Sequence, residues 1–321
     1  MDSKAQIKTL RPRTAYEPIE VTTLTNGQPL VVPLHRLAGS GGGPTIGLVA
    51  MLHGDEPLPN EIIRRVLATA TEAGLRGEIL ALPATNGPAL EALTRNSPVD
   101  MLDLNRSFPG DAHGWLTEQL AHAVAEKFLT RVDLLIDLHS GGLFPTVDYV
   151  YATADATELA LALGWELTYV TDTPHPGGLL GVARARNIQG AILEVGGGQQ
   201  DDEFFIARGV QAIINALVHF DMLDGDAEPA ERQVTFTRME TLRPHCGGIL
   251  HPEVRLERLR GRVAKGELLG RIISPLTFET IEEFTSPVDG YLLLLRAGVA
   301  PISPGDFAYM IADASSEVVA P

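Results

Sequence analysis

Three apolar runs that end in polar, glycine-containing turns constrain the fold of this chain more than any other feature. The runs cover residues 48–52, 132–138 and 190–195, and their ends carry His53-Gly54-Asp55-Glu56, His139-Ser140-Gly141-Gly142 and Glu194-Val195-Gly196-Gly197-Gly198. Each run has the length and composition of a buried strand, and the glycines that follow end it. Residues 59–73, 115–129 and 203–223 instead show the spacing of apolar residues that is typical of helices.

This alternation of strands and helices predicts an α/β fold with a largely parallel sheet flanked by helices. In such sheets, sites form outside the carboxyl ends of the strands, so we expect His53, His139 and Glu194 at one edge. A hairpin over residues 19–34, with Asn26-Gly27 at its turn, is predicted before the first run. Residues 40–44 contain three glycines and a proline, and we interpret them as a flexible link.

The composition of the chain changes after residue 223. An acidic, proline-containing linker over 224–232 is followed by short apolar runs that glycine and proline separate at close spacing. This pattern is typical of a small all-β barrel or sandwich. We therefore predict a flexible N-terminus over 1–18, an α/β domain over 19–223 that carries all the motifs, and a β-rich domain over 233–321.

Charge and cysteine content exclude several classes of partner and site. The formal net charge is −16, which argues against a nucleic-acid or anionic-membrane partner, since both require a basic face. The single cysteine, Cys246, excludes an internal disulfide and a cysteine-based zinc cluster. The basic N-terminal residues precede no apolar core, and no apolar run is long enough to span a membrane. We expect a cytoplasmic protein.

The turn after the first run carries the first indication of a metal site. His53 and Glu56 lie three residues apart at the end of a strand, so that both side chains can face one point. An imidazole and a carboxylate placed in this way are common zinc ligands. An isolated HxxE sequence is more often an ordinary surface turn, so the interpretation depends on what the rest of the chain supplies.

The motifs HGDE, DLNRSFPG, DLHSGG and LEVGGG follow one another over residues 47–198. This order resembles the succinylglutamate desuccinylase/aspartoacylase family, which are zinc-dependent relatives of the M14 carboxypeptidases. Residues 95–110 are also similar to bacterial members that deacetylate N-acetyl-diaminobutyrate. The tail resembles a biotinyl/lipoyl-like hammerhead, but residues 271–286 contain no lysine, so we expect a cap over the zinc cleft rather than a carrier domain.

The resemblance implies a zinc-carboxypeptidase-like catalytic domain that binds one zinc ion per chain. The implied ligands are His53, Glu56 and His139, which leave an open position for water. Glu194 matches the catalytic glutamate, which takes a proton from that water and delivers it to the leaving nitrogen. Asp55, Asp103 and Asp137 lie beside these motifs and are candidates for orienting the ligands.

The resemblance also implies a set of substrate-binding residues. Asn105 and Arg106 match a pair that holds a substrate carboxylate, a role for which a guanidinium group is suited. Arg95 matches an arginine that stabilises the developing oxyanion. Arg184, with Arg186 as its competitor, matches a second carboxylate-binding arginine. Among the other histidines, His175 lies in a Pro- and Gly-rich loop that is the best placed to overhang the site.

The function implied is zinc-dependent hydrolysis of the amide bond of a small N-acyl amino acid. A metallocarboxypeptidase that acts on short peptides is one alternative, although a capped cleft argues against it. A ligand-binding relative that has lost catalysis is another, although all the expected site residues are present. An N-acetyl-diaminobutyrate deacetylase would need an acidic pocket residue for the substrate's amine. The sequence leaves the oligomeric state open, although enzymes of this size are often homo-oligomers with two-fold symmetry.

Overall fold

The computed structural model describes residues 13–318. Its helices are α1 (Leu58–Ala73), α2 (Gly87–Ala92), α3 (Leu116–Lys127), α4 (Thr157–Ala162), α5 (Leu179–Ala185) and α6 (Asp202–His219). The strands before residue 200 are β1 (Ala15–Tyr16), β2 (Ile19–Thr23), β3 (Pro29–Val32), β4 (His35–Ala38), β5 (Ser40–Ala50), β6 (Arg76–Leu82), β7 (Leu134–His139), β8 (Pro145–Thr153), β9 (Leu167–Thr171) and β10 (Gln189–Gly196). The later strands are β11 (Val234–Phe236), β12 (Met239–Leu242), β13 (Gly248–Pro252), β14 (Arg262–Val263), β15 (Leu268–Ile273), β16 (Thr280–Thr285), β17 (Gly290–Arg296), β18 (Ala300–Ile302), β19 (Tyr309–Asp313) and β20 (Glu317–Val318).

The three apolar runs form neighbouring strands in the middle of the largest sheet, where β5, β7 and β10 are parallel. Leu48 on β5 pairs with Ile136 on β7. Glu194 on β10 pairs with His139 at the carboxyl end of β7. The predicted α/β fold with a largely parallel central sheet is therefore confirmed, and antiparallel strands at its flanks make the sheet mixed.

Helices cover both faces of this central region because its strands are apolar on both sides. Leu48 and Ile136 face one core, which contains the buried side chains of α1, α4 and α6. Val49 and Leu135 face a second core, which contains those of α3 and α5. The apolar area that these helices bury holds the carboxyl ends of β5, β7 and β10 in fixed relative positions.

The C-terminal strands continue the same sheet. Beyond β10 the strand order is β8, β17, β19 and β12, and each neighbouring pair is antiparallel. Strands β16, β15, β13 and β18 form a separate four-stranded antiparallel sheet. The β-rich composition predicted after residue 233 is confirmed. The division into domains at 224–232 stays a prediction, since main-chain pairing between β8 and β17 crosses it.

Two segments differ from the local expectation. Residues 40–44, predicted as a flexible link, lie inside β5, where Ser40 pairs with Arg76 and the register shifts before Thr45. The predicted flexible segment 1–18 falls mostly outside the described residues, but Ala15 and Tyr16 form β1 and pair with β4. The hairpin of β2 and β3 is confirmed. None of the helices within residues 13–318 combines the length and the apolar character needed to cross a membrane.

Candidate metal centre and substrate cavity

The turn after β5 points His53 and Glu56 towards β7. Nδ1 of His53 lies 2.8 Å from Oε1 of Glu56, and Nδ1 of His139 lies 3.0 Å from Oε2 of the same carboxylate. The turn can pack here only because residue 54 is glycine, since a Cβ would lie 2.0 Å from the carbonyl carbon of Ala89. One ligand atom from each of the three side chains lies within 4.8 Å of the others, and all three residues are buried.

The opposite nitrogen of each imidazole faces an aspartate. Nε2 of His53 lies 3.3 Å from Oδ1 of Asp103, and Nε2 of His139 lies 3.1 Å from Oδ2 of Asp137. Each aspartate can accept a hydrogen bond from Nε2, so the Nδ1 atoms, which donate to Glu56, are the ones left to bind a metal ion once their own protons are lost. This is the arrangement in which carboxylates orient histidine ligands around a metal ion.

The donor set fits a zinc-type ion. Two neutral imidazoles and one carboxylate around a dication leave a net charge of +1 and an open coordination position. Burial alone would raise the pKa of the Glu56 carboxyl, but the positive charge of His53 and His139 in their protonated form holds it well below its usual range. Glu56 is therefore ionised, as a metal ligand must be.

Replacing Asp137 with asparagine is expected to weaken zinc binding by about 10–100-fold. The amide can no longer fix the proton on Nε2 of His139, although its size is that of the native side chain. Competition against a chromophoric chelator measures this affinity. Asp226→Asn, in the exposed segment after α6, is the matched control and should bind zinc like the native protein. Equal affinities for both variants would contradict the orienting role of Asp137.

Glu194 lies beside the cluster without forming part of it. It pairs in register with His139 on one side and with Tyr149 of β8 on the other. Burial raises the pKa of the Glu194 carboxyl to about 7, against the opposing effect of His139. The glycines after β10 let the chain approach the HSGG turn, because a Cβ on Gly197 would lie 2.6 Å from the nitrogen of Gly141.

Arg95 reaches the metal cluster from the loop after α2. Its Nε donates to Oδ2 of Asp103 at 3.1 Å, and its Nη1 lies 3.7 Å from Oε1 of Glu56. Arg95 is the only cavity arginine with carboxylate partners among the described residues. It is therefore fixed beside the cluster, where a positive charge can face a polarised carbonyl oxygen.

Asn105 and Arg106 lie in a short turn next to His139. The Asn105 side-chain nitrogen is 3.2 Å from Nε2 of His139, and its oxygen accepts from the nitrogen of Leu179 at 2.9 Å. Arg106 donates to the carbonyl of Asn105 at 2.6 Å. No carboxylate in the described part of the chain forms an ion pair with Arg106, so its guanidinium group is available to an anionic ligand.

Arg184 and Arg186, the two candidates for a second carboxylate-binding arginine, lie outside the cavity in this structure. Nε of Arg184 lies 3.0 Å from Oδ1 of Asp155, and Arg184 also donates to the carbonyl of Asp172. Arg186 pairs with Oε1 of Glu126 at 2.5 Å. Neither arginine lines the cavity. Carboxylates outside the cavity hold both side chains away from the metal cluster.

The cluster opens into a cavity of about 380 Å³, a size typical of small-molecule sites. His175 lines it, as its loop position suggested, with Nδ1 accepting from the nitrogen of Gly177 at 3.1 Å. Several other lining residues were not anticipated: Tyr149, Tyr151, Met239, Arg243, Phe307 and Met310. The spacing of Tyr149 and Tyr151 on β8 was a usable signal, because residues two apart on a strand share a face.

Comparison with known proteins identifies the family. A model of the succinylglutamate desuccinylase/aspartoacylase catalytic domain matches residues 42–220, which is more than half of the chain. The chain therefore belongs to this family. N-alpha-acetyl-L-2,4-diaminobutyric acid deacetylase from Halomonas elongata is 29% identical over 293 residues, which cover 85% of this chain and 83% of that protein.

Solved structures share the fold over nearly the whole chain. The product-bound ectoine utilization protein EutE (DoeB) from Ruegeria pomeroyi superposes with a TM-score of 0.82 at 24% identity, over 94% of both chains. A metallo-carboxypeptidase from Burkholderia cenocepacia gives a TM-score of 0.52 at 15% identity, over 68% of this chain and 67% of its own. The carboxypeptidase-like fold predicted from the motif order is confirmed, together with the additional C-terminal β region.

Proposed function

We propose that this protein is a zinc-dependent hydrolase that cleaves the amide bond of N-acyl amino acids. The observation that carries the proposal is the convergence of the Nδ1 atoms of His53 and His139 on Glu56, at the wall of a cavity that also contains Glu194. The activity of the Halomonas elongata relative, a deacetylase of an amino acid, supports the same reaction class.

His53 and His139, through Nδ1, and Glu56 would hold the zinc ion. A zinc ion bound there supplies a Lewis acid that polarises the scissile carbonyl and lowers the pKa of a water molecule. Asp103 and Asp137 keep the two imidazoles in the tautomer that can bind a metal. The remaining steps fall to residues that face the cavity.

Glu194 acts first as a base and then as an acid. Its carboxylate takes the proton of the attacking water, and the same proton passes to the leaving nitrogen, so that the amine departs neutral. Arg95 stabilises the oxyanion that forms on the scissile carbonyl. Asn105 and Arg106 hold the carboxylate of the amino acid and so fix the scissile bond beside the cluster.

The walls of the cavity favour a small molecule over a peptide chain. Met239, Phe307 and Met310 of the C-terminal region line one side of it. This enclosure supports a capping role for the C-terminal region and disfavours the metallocarboxypeptidase alternative. A cytoplasmic location remains a prediction from the composition of the chain, and the oligomeric state stays open, with a homo-oligomer as one option for a chain of this size.

The residues of the cavity do not support assigning the substrate of the Halomonas elongata relative to this protein. Diaminobutyrate carries a side-chain ammonium group, which a site that binds it should neutralise. Among the described residues that line the cavity, the only carboxylates are Glu56 and Glu194. Both have roles at the reaction centre, so an additional acid for the amine is absent from this part of the chain.

An activity screen tests the proposed reaction. The zinc-loaded protein should release free amine from N-acetyl, N-succinyl or N-formyl amino acids and leave unblocked di- and tripeptides intact. Detection of the released amine with a fluorogenic reagent measures both groups of compounds in one assay. Faster hydrolysis of the peptides would favour the carboxypeptidase alternative. Binding of N-acyl amino acids without turnover would favour a non-catalytic relative.

A further inference from the structure

A row of one residue from each of four strands, the first three of them apolar, leads away from the metal cluster. Val147 on β8 pairs with Leu294 on β17, Leu294 pairs with Met310 on β19, and Met310 pairs with Thr241 on β12. Residues directly opposite one another in antiparallel strands project from the same face of the sheet. All four residues line the cavity, so the row Val147–Leu294–Met310–Thr241 is its floor.

The row starts next to the reaction centre. Tyr149, which pairs with Glu194, lies two residues from Val147 on the same strand and on the same face. From β8 to β12 the row crosses three inter-strand spacings, or about 14 Å. An acetyl group on the scissile nitrogen would leave most of this floor uncovered, whereas an extended apolar arm would cover it.

Arg243 lies at the far end of the row, directly after β12. Its guanidinium carbon is 3.9 Å from the centre of the Phe307 ring, and it donates to the carbonyl of Gly305. Both contacts are uncharged. No carboxylate within residues 13–318 forms an ion pair with Arg243, and the residue is exposed to the cavity.

The cavity therefore contains two guanidinium groups that form no direct ion pair with the described residues, although Arg106 is near enough to Asp103 to lower the pKa of that carboxyl. Arg106 is at the metal end and Arg243 is at the far end, whereas Arg95 is paired with Asp103. A guanidinium group binds a carboxylate through two parallel hydrogen bonds, and an aromatic ring below it fixes its plane. Two such groups joined by an apolar floor match a ligand with an anion at each end of an apolar arm.

We propose that Arg243 is a specificity-determining residue that binds a second anionic group of the substrate, at the end of an apolar arm lying on the row Val147–Leu294–Met310–Thr241. This inference rests on the proposed hydrolysis of N-acyl amino acids, in which Arg106 binds the α-carboxylate. The arm is longer than a succinyl group and ends in a carboxylate. It belongs either to the acyl group or to the side chain of the amino acid.

Two substrate series distinguish these sources. In the first, alanine carries acetyl, succinyl, adipoyl or suberoyl groups, and N-hexanoyl- and N-octanoyl-alanine are the uncharged matches for the last two. In the second, N-acetyl-2-aminoadipate and N-acetyl-2-aminosuberate are compared with N-acetyl-norleucine and N-acetyl-2-aminooctanoate. In the series that corresponds to the true source of the arm, the compound with a terminal carboxylate should have a kcat/KM about 10–100-fold higher than its uncharged match, as expected for a charged hydrogen-bonded pair. The optimum should fall at an arm longer than succinyl.

Variants of Arg243 test the assignment of the anchor. Arg243→Gln should reduce this preference for the charged arm by at least about tenfold, and Arg243→Lys should retain part of it, since lysine keeps the charge without the planar fork. Arg255→Gln removes an exposed arginine that does not line the cavity, and it should keep the native preference. A native enzyme that hydrolyses N-acyl amino acids with equal preference for charged and uncharged arms would overturn the inference but not the proposed function.

A binding measurement separates the anchor from the chemistry. The zinc-loaded Glu194→Gln variant is titrated calorimetrically with N-suberoyl- and N-octanoyl-alanine, or with N-acetyl-2-aminosuberate and N-acetyl-2-aminooctanoate. The compound with the charged arm should bind more tightly in each pair. Adding Arg243→Gln should abolish that difference. If the native protein hydrolyses none of these compounds but binding depends on Arg243 in this way, the proposed hydrolysis fails and the anchor stands. No Arg243-dependent difference in either binding or turnover would overturn the inference.

Discussion

Replacing Glu194 with glutamine is expected to lower kcat by about 10²–10⁴-fold, the usual contribution of a general acid–base group. Glutamine matches the shape of glutamate but cannot accept the proton of the attacking water. Glu194 is not part of the His53, Glu56 and His139 cluster, so the zinc content should stay at one ion per chain. Steady-state kinetics with metal analysis of the same samples checks both results.

The pH dependence of the native enzyme follows from the same residue. The base must be ionised to work, so kcat/KM should fall as the pH drops through the pKa of Glu194. Burial raises that pKa to about 7, and a cation bound to the neighbouring cluster would lower it. The acidic limb should therefore lie at or below pH 7 and should be absent from the residual activity of Glu194→Gln.

A matched control distinguishes this effect from a general loss of carboxylates. Glu72→Gln changes an exposed glutamate at the end of α1, which does not line the cavity, and should behave like the native enzyme. If Glu194→Gln kept near-native turnover with an unchanged acidic limb, the base would have to be another group.

Replacing His139 with alanine is expected to remove both the metal and the activity. The substitution takes away one of two imidazole ligands and leaves Glu56 buried with only His53 as its imidazole partner. The loss of zinc affinity should exceed the roughly 10–100-fold loss expected for an orienting residue such as Asp137. Zinc content after dialysis against a weak chelator gives a direct measurement. His113→Ala, at an exposed position outside the cluster, should retain its zinc.

The convergence of His53, Glu56 and His139 could be predicted from the sequence because the signals for it are local. Apolar runs set the strands, glycines set their ends, and parallel pairing then brings His53, His139 and Glu194 to one edge of the sheet. The aspartates behind the two imidazoles were also visible beside the motifs. Their pairing, Asp103 with His53 and Asp137 with His139, depends on the tertiary structure.

The substrate end of the site was less predictable because it depends on long-range pairing. Arg243 and Met310 reach the cavity only because β17 pairs with β8 across the predicted linker, and no short-range pattern encodes that register. The position of the Arg184 side chain outside the cavity could not be read from the sequence either. A position shared with the family fixes where a residue lies along the chain, but Asp155 and Asp172 decide where its side chain points.

Under the proposed function, hydrolysis of N-acyl amino acids requires a metal ion held by His53, Glu56 and His139. The most direct measurement is a zinc titration of chelator-treated protein that follows amine release from the best N-acyl amino acid of the screen. Activity should rise linearly and level off at one zinc ion per chain, and His139→Ala should stay inactive throughout. Full activity before any zinc is added, or activation of His139→Ala at the same stoichiometry, would contradict the claim.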